Sequence, residues 1–188
     1  MSGISGVDTA KRERVASPQD GDLLASVMRV YLPHSRYLKA ATVDAPAGTR
    51  AAGVTATGEF EIGDACYIDE TGHFNAVEFN ICYNQLAYYL IAKSVQERLL
   101  PVFDGWDLAD FRRLQLPNIL ITDFRSTFRR RMLGERFSGA VTVAEATRLA
   151  RSRRWNALVV LRTTCRFWDA AGGDCRGEVK LAITDPEG

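Results

Sequence analysis

Between residues 54 and 62 polar and apolar side chains alternate: Val54, Ala56, Phe60 and Ile62 face one way, Thr55, Thr57, Glu59 and Glu61 the other. A period of two is that of a half-buried strand. Residues 75–93 break the rhythm and are apolar almost all round, which predicts a helix enclosed on most sides. Ahead of them, 23–31 carries Leu24, Val27, Val30 and Tyr31 at helical spacing and stops at Pro33, while 36–43 reads as extended. Residues 106–114 predict a short helix halted by Pro117. Strand patterns then return at 118–128, 137–149, 155–169 and 175–184. The glycines of Ala170-Ala171-Gly172-Gly173-Asp174 make the last junction a hairpin turn.

Strands, one enclosed helix and a further run of antiparallel strands make an α+β order. A sheet of about five strands curled around a single long helix is the hot-dog arrangement, although other α+β folds with one swallowed helix satisfy the same pattern. A lone curled sheet leaves an edge and an open face, so a homodimer or higher homo-oligomer is expected.

A chain of 188 residues suits one domain, placed at 22–188. Residues 1–21 are polar, lack the apolar core of a secretory signal, and read as a disordered lead-in. The most apolar window, 76–92, is interrupted by Glu78, Asn80, Asn84 and Gln85, so a membrane span is excluded. Cys66, Cys82, Cys165 and Cys175 lie far apart and read as reduced thiols of a cytoplasmic protein. With two histidines and no suitable cysteine spacing, no metal site is expected. Net charge is +1, yet eleven arginines fall within 112–154 against Asp123, Glu135 and Glu145. Such a half suits an anionic partner, whether nucleic acid, the nucleotide of coenzyme A or an acidic carrier protein. From charge alone a plain solvated surface is the favoured reading, and nucleic acid is not expected.

The segment 66–78 leads straight into the enclosed helix. Thr71 and Asn75 are acceptable cap residues, and Gly72 permits an unusual turn. Free N–H groups at a helix start can hold an oxygen that gains negative charge, as a thioester carbonyl does in acyl transfer or conjugate addition. A plain cap explains the same residues. Asn75, Glu78 and Gln85 continue one helix face and Asn80 and Asn84 another, so these groups either bond to strands or line a pocket. Tyr67 can donate to a carbonyl oxygen without carrying charge. His34 and His73 are the two imidazoles, the side chains suited to proton exchange near neutrality. No GxSxG, no cysteine with a histidine partner, no P-loop and no GxGxxG occurs.

Tyr67-Ile68, Thr71-Gly72-His73-Phe74-Asn75-Ala76-Val77-Glu78 and Tyr83-Asn84-Gln85-Leu86-Ala87-Tyr88 resemble the FcoT-like thioesterase family. So do Arg36-Tyr37-Leu38, Gly105-Trp106, Phe137-Ser138, Phe167-Trp168-Asp169 and Gly177-Glu178. The resemblance runs from about Leu24 onward and implies a single hot-dog domain. It also implies action on fatty acyl groups borne by coenzyme A or an acyl carrier protein, with no cofactor beyond that carrier's phosphopantetheine. Positions matching Tyr67, Asn75 and Asn84 are the family's active-site residues, and a further family tyrosine falls at His34.

The family carries two activities. One is hydrolysis of acyl-CoA. The other is conjugate addition of glycine to a (2E)-enoyl thioester, giving a 3-(carboxymethylamino)acyl thioester. Addition needs a polarised carbonyl, a base for the glycine ammonium and a cation for its carboxylate. Tyr67 and Asn75 suit polarisation, His34 or Glu78 the base, and Arg36 and Arg129 an anion clamp. His73 is assigned to substrate binding, and Phe79, Tyr83 and Trp106 to the walls of an acyl tunnel. Glycine addition is thus expected over hydrolysis. A non-catalytic acyl-binding protein is disfavoured, since holding an apolar chain requires no buried amides.

Overall fold

Antiparallel strands outnumber helices in the computed structural model, which describes residues 12–16, 20–47, 52–69, 72–150 and 157–185. In chain order the elements are β1 (Arg12–Val15), α1 (Asp20–Met28), β2 (Leu38–Pro46), β3 (Thr55–Glu61) and α2 (Ala76–Gln96). They continue as α3 (Leu108–Leu114), β4 (Ile119–Arg130), β5 (Arg136–Leu149), β6 (Ala157–Trp168) and β7 (Asp174–Asp185). Single 3₁₀ turns lie at Pro33–Ser35 and Pro101–Phe103.

The strands form one sheet in the order β1-β2-β3-β5-β6-β7-β4. In β6, Ala157, Val159, Leu161, Thr163, Cys165 and Phe167 are buried, and exposed or half-buried residues lie between them. Register carries that parity across: Phe60 of β3 faces Phe137 of β5, and Val141 of β5 faces Cys165 of β6. Irregularities at Leu38/Ala40, Ile121/Asp123, Phe128/Arg130 and Val143/Glu145 add local twist and help the sheet to curl.

The curl encloses α2, whose 21 residues include fifteen buried ones from Glu78 to Val95. Two glycines permit the close approach. A Cβ on Gly58 would lie 2.5 Å from Leu38 Cδ1 and 3.0 Å from Leu86 Cδ1, and one on Gly177 would lie 2.9 Å from Phe79 Cζ. Rings fill the space between. Phe60 stacks on Phe137 at 5.1 Å, and Phe167 sets its edge to Phe79 at 4.9 Å. At the far end of α2 the enclosed Lys93 ammonium reaches Asp20 of α1 at 2.6 Å and Glu97 at 3.0 Å. No helix among the described residues is long and apolar enough to cross a membrane.

Two expectations are corrected. Among the described residues the sheet has seven strands rather than about five. The lead-in assigned to 1–21 contains β1, which pairs with β2 from Arg12↔Pro46 to Val15↔Val43. The reason is that backbone hydrogen bonds hold this edge strand while its arginines stay in water, so its sequence lacks the alternation of a half-buried strand. Helix α1 also starts inside that segment, at Asp20. Residues 1–11 and 17–19 lie outside the described residues.

Candidate active site

Helix α2 begins with four N–H groups that have no partner inside the helix. Asn75 is extended there (φ −122°, ψ −175°), and its Oδ1 accepts from the N–H groups of Val77 at 2.8 Å and Glu78 at 3.4 Å. Glu78 Oε2 in turn accepts from the Asn75 N–H at 2.9 Å, which closes a capping box. Gly72 at φ +64° makes the turn before it. A strap from the β4–β5 connection braces this turn: Arg131 Nη2 donates to Gly72 O at 2.8 Å, and the Phe74 N–H to Met132 O at 3.0 Å. Thr71, the other expected cap, lies outside the described residues.

The cap fixes the chemistry of the asparagine amide. With Oδ1 turned to the helix, Nδ2 points outward and donates to Tyr67 Oη at 2.6 Å. Tyr67 is 44% exposed. Its oxygen is already an acceptor, so its own hydrogen is available to an incoming oxygen, and the amide dipole strengthens it as a donor.

A cleft of about 440 Å³ lies at the same end of α2, lined by the neighbours of Tyr67 and Asn75 in sequence and not by the pair itself. Asp64, Asp69, His73, Glu78 and Glu135 line it, with Phe74 and Gly134 among its apolar parts. Glu78 is only 2% exposed yet belongs to the lining, so the residue that caps the helix also faces the cleft. Four carboxylates favour a small cation such as an ammonium group. The structure thus brings Tyr67, Asn75, Glu78 and His73 to one end of α2.

The other expected residues lie elsewhere. Asn84 is nine residues further on, about 13 Å along the axis at 1.5 Å per residue, where its Nδ2 donates to Asn80 Oδ1 at 2.8 Å. His34 occupies the exposed turn Pro33–Ser35, which Gln85 holds by donating to Ser35 O at 2.6 Å. Arg36 turns back, and its Nε donates to Tyr31 O at 2.9 Å. Arg129 is exposed on β4, the outermost strand on its side of the sheet.

Of the expected tunnel walls Phe79 and Tyr83 are core residues and Trp106 is half-buried, and none lines this cleft. Phe79 packs on Phe124, Phe128 and Phe167, and the Tyr83 hydroxyl lies 2.7 Å from Thr163 Oγ1. Trp106 sits beyond the other end of α2 against Phe103. Each was read from aromatic character alone, which serves a packed core equally well.

Sequence reasoning missed Asp64, Asp69, Glu135 and Arg131. For Arg131 and Glu135 the proximity depends on the β4–β5 connection meeting the helix start, a long-range event with no local motif, whereas Asp64 and Asp69 sit just ahead of the helix in sequence. Three thiols are also removed from nucleophilic roles. Burial pushes Cys82 well up, Cys165 to about 12 and Cys175 to about 11, so all three stay protonated near neutrality.

Against known proteins, residues 26–183 match the model of the FcoT-like thioesterase domain. A protein of Streptomyces coeruleorubidus named (2E)-enoyl-[ACP] glycyltransferase is 45% identical over 166 residues, covering 88% of this chain and 98% of its own. A protein of the same name from Mycobacterium tuberculosis H37Rv is 37% identical over 164 residues, covering 86% and 85%. Among solved structures, a putative thioesterase from Syntrophus aciditrophicus aligns with a TM-score of 0.51 at 12% identity, covering 89% of this chain and all of its own.

Proposed function

The chain belongs to the FcoT-like thioesterase family, and on that footing we propose that it adds glycine to the β-carbon of a (2E)-enoyl thioester carried by an acyl carrier protein. The observation that carries the proposal is the 2.6 Å bond from Asn75 Nδ2 to Tyr67 Oη, which leaves the tyrosine hydrogen for the thioester oxygen. The relatives' shared name, (2E)-enoyl-[ACP] glycyltransferase, supports the choice of substrate and carrier.

The proton and electron movements each have a group to perform them, while the expected carboxylate clamps Arg36 and Arg129 are not in the cleft lining. Glycine enters as an ammonium ion among the cleft carboxylates, and Glu78 takes its proton. The free amine forms the N–C bond at the β-carbon, and the π pair moves through the α-carbon to the thioester oxygen. Tyr67 holds that oxygen while negative charge builds on it. The enolate then collapses, and the proton held by Glu78 passes to the α-carbon. The product is a 3-(carboxymethylamino)acyl thioester, made without a covalent enzyme intermediate or a cofactor. Glu78 takes the base role ahead of His34 because it lines the cleft.

The proposal includes a homodimer in the cytoplasm. Ile68 and Val77 are exposed apolar residues around the start of α2, and a second copy would cover them while leaving Tyr67 open to substrate.

The test follows a but-2-enoyl thioester by mass spectrometry with and without glycine. The expected result is a gain of one glycine on the acyl group, with slow release of thiol. Thiol release at one rate, indifferent to glycine, would instead make the protein a hydrolase.

A further inference from the structure

Residues 125–136 hold five arginines and one carboxylate, Glu135. Arg125, Arg129, Arg130 and Arg131 are exposed, and Arg136 keeps 82% of its side chain in solvent while lying 3.5 Å from Glu61. The run follows β4, the terminal strand of the sheet, and then passes beyond its end at Arg130. Two apolar side chains, Phe128 and Leu133, are exposed among the arginines. Where the run ends, it becomes the rim of the candidate site. Arg131 braces Gly72, Met132 O receives the Phe74 N–H, and Leu133 and Gly134 line the cleft. Charges that merely guarded an edge strand would stop with the strand. These continue around the mouth of the site.

We propose that this arginine run, centred on Arg129 and Arg130, is the docking surface for the acidic face of a carrier protein, which delivers its acyl arm over the β4–β5 connection to Tyr67. The proposal rests on the enoyl-carrier reading above. It goes beyond that reading in assigning where the protein partner sits. A field of one sign beside a site steers an oppositely charged partner and raises its rate of encounter, an effect that weakens with salt.

The experiment compares the wild type with the R129E/R130E double variant on three but-2-enoyl donors: loaded acyl carrier protein, coenzyme A thioester and N-acetylcysteamine thioester. Arg129, expected from the sequence as an anion clamp, lies with Arg130 on the exposed terminal strand outside the cleft lining, so neither takes part in the proposed reaction; both side chains are in solvent, so the fold should persist, and R129Q/R130Q serves as a milder second variant. The expected result is a fall of about tenfold or more in kcat/KM for the carrier donor, and a change within about twofold for the N-acetylcysteamine donor. Raising salt should lower the wild-type carrier rate in the same selective way.

Four results would overturn the proposal. Equal losses on all three donors would place the effect in the site, and equal losses on carrier and coenzyme A would make the run a phosphate clamp. An altered oligomeric state would make it a contact between copies, and an unchanged carrier rate would leave it no docking role. If no donor gains glycine with the wild type, the functional reading has failed by itself. Fluorescence anisotropy of labelled holo-acyl carrier protein then decides docking, and equal affinity for both proteins would end the proposal.

Discussion

Asn75 performs two tasks with two ends of one amide, and substitution can separate them. Its Oδ1 caps α2, and its Nδ2 holds Tyr67. Asn75→Ala removes both. The lost cap costs about 1 kcal/mol, the usual value for asparagine at this position, and the Glu78 bond to the residue 75 N–H survives the change. Asn75→Asp keeps an acceptor for the Val77 and Glu78 N–H groups and adds negative charge at the positive end of the helix, so stability should stay within about 0.5 kcal/mol of wild type. What changes is the other end. An amide that donated to Tyr67 becomes a carboxylate oxygen that can only accept, so the tyrosine hydrogen turns inward and is lost to the substrate. Glycine addition should then fall about 100-fold or more, the scale on which removing one oxyanion donor acts. Tyr67→Phe should give a similar fall.

Urea denaturation and turnover on one enoyl thioester read the two effects independently. The expected pattern is Asn75→Ala impaired in both, and Asn75→Asp impaired only in turnover. A fully active Asn75→Asp would refute the reasoning, because the bond from amide to phenol would then have no part in the chemistry. An Asn75→Asp as unstable as Asn75→Ala would refute the capping half.

Two further outcomes follow from groups outside the site. Gln85 accepts from the Tyr37 and Leu38 N–H groups at 3.0 and 2.9 Å and donates to Ser35 O; Gln85→Leu should cost about 2–3 kcal/mol in urea midpoint terms with an unchanged m-value, since buried partners lose their bonds. The Arg166 hydrogen bond to Asp174, with Arg176 beside it, holds that carboxyl below its usual range. A depressed folded value means stability present above about pH 4 and lost as pH falls through the folded pKa. The melting-temperature gap between wild type and Asp174→Asn should therefore shrink on going from pH 6 to pH 3, and a constant gap would contradict the assignment.

What could be read from the sequence was mostly local. The alternation over Thr55–Glu61 and the all-round apolar run of α2 matched the observed strand and helix, because burial imposes period two on one and enclosure on the other. The contact between Tyr67 and Asn75 was also within reach, since eight residues and a glycine turn separate them. Strand order was not. Pairing of β4 with β7 joins residues as far apart as Ile119 and Ile183, and β1 is held by backbone bonds whose side chains carry no pattern. Gln85 shows the same limit at a single residue. Its place on the polar face shared with Glu78 left open whether it bonds to strands or lines a pocket, and its amide is spent on the turn at Ser35 and the start of β2. A polar residue on an enclosed helix must find a partner, and sequence does not tell whether that partner is a strand or a ligand.

The electrostatics of the cleft bear on whether water or glycine attacks. Water gains little from four carboxylates, whereas they attract the ammonium end of glycine and repel its carboxylate end. The same carboxylates also stabilise the proton on that ammonium, which works against forming the free amine. A productive site must therefore combine attraction with a specific acceptor near the reacting carbon. Glu78 is suited to this because its Oε2 is fixed by the Asn75 N–H, and the residue is buried while still lining the cleft. The capping box thereby joins the two halves of the proposed reaction: one residue of the box aims the tyrosine at the developing oxyanion, and the other receives the proton that sets the nucleophile free.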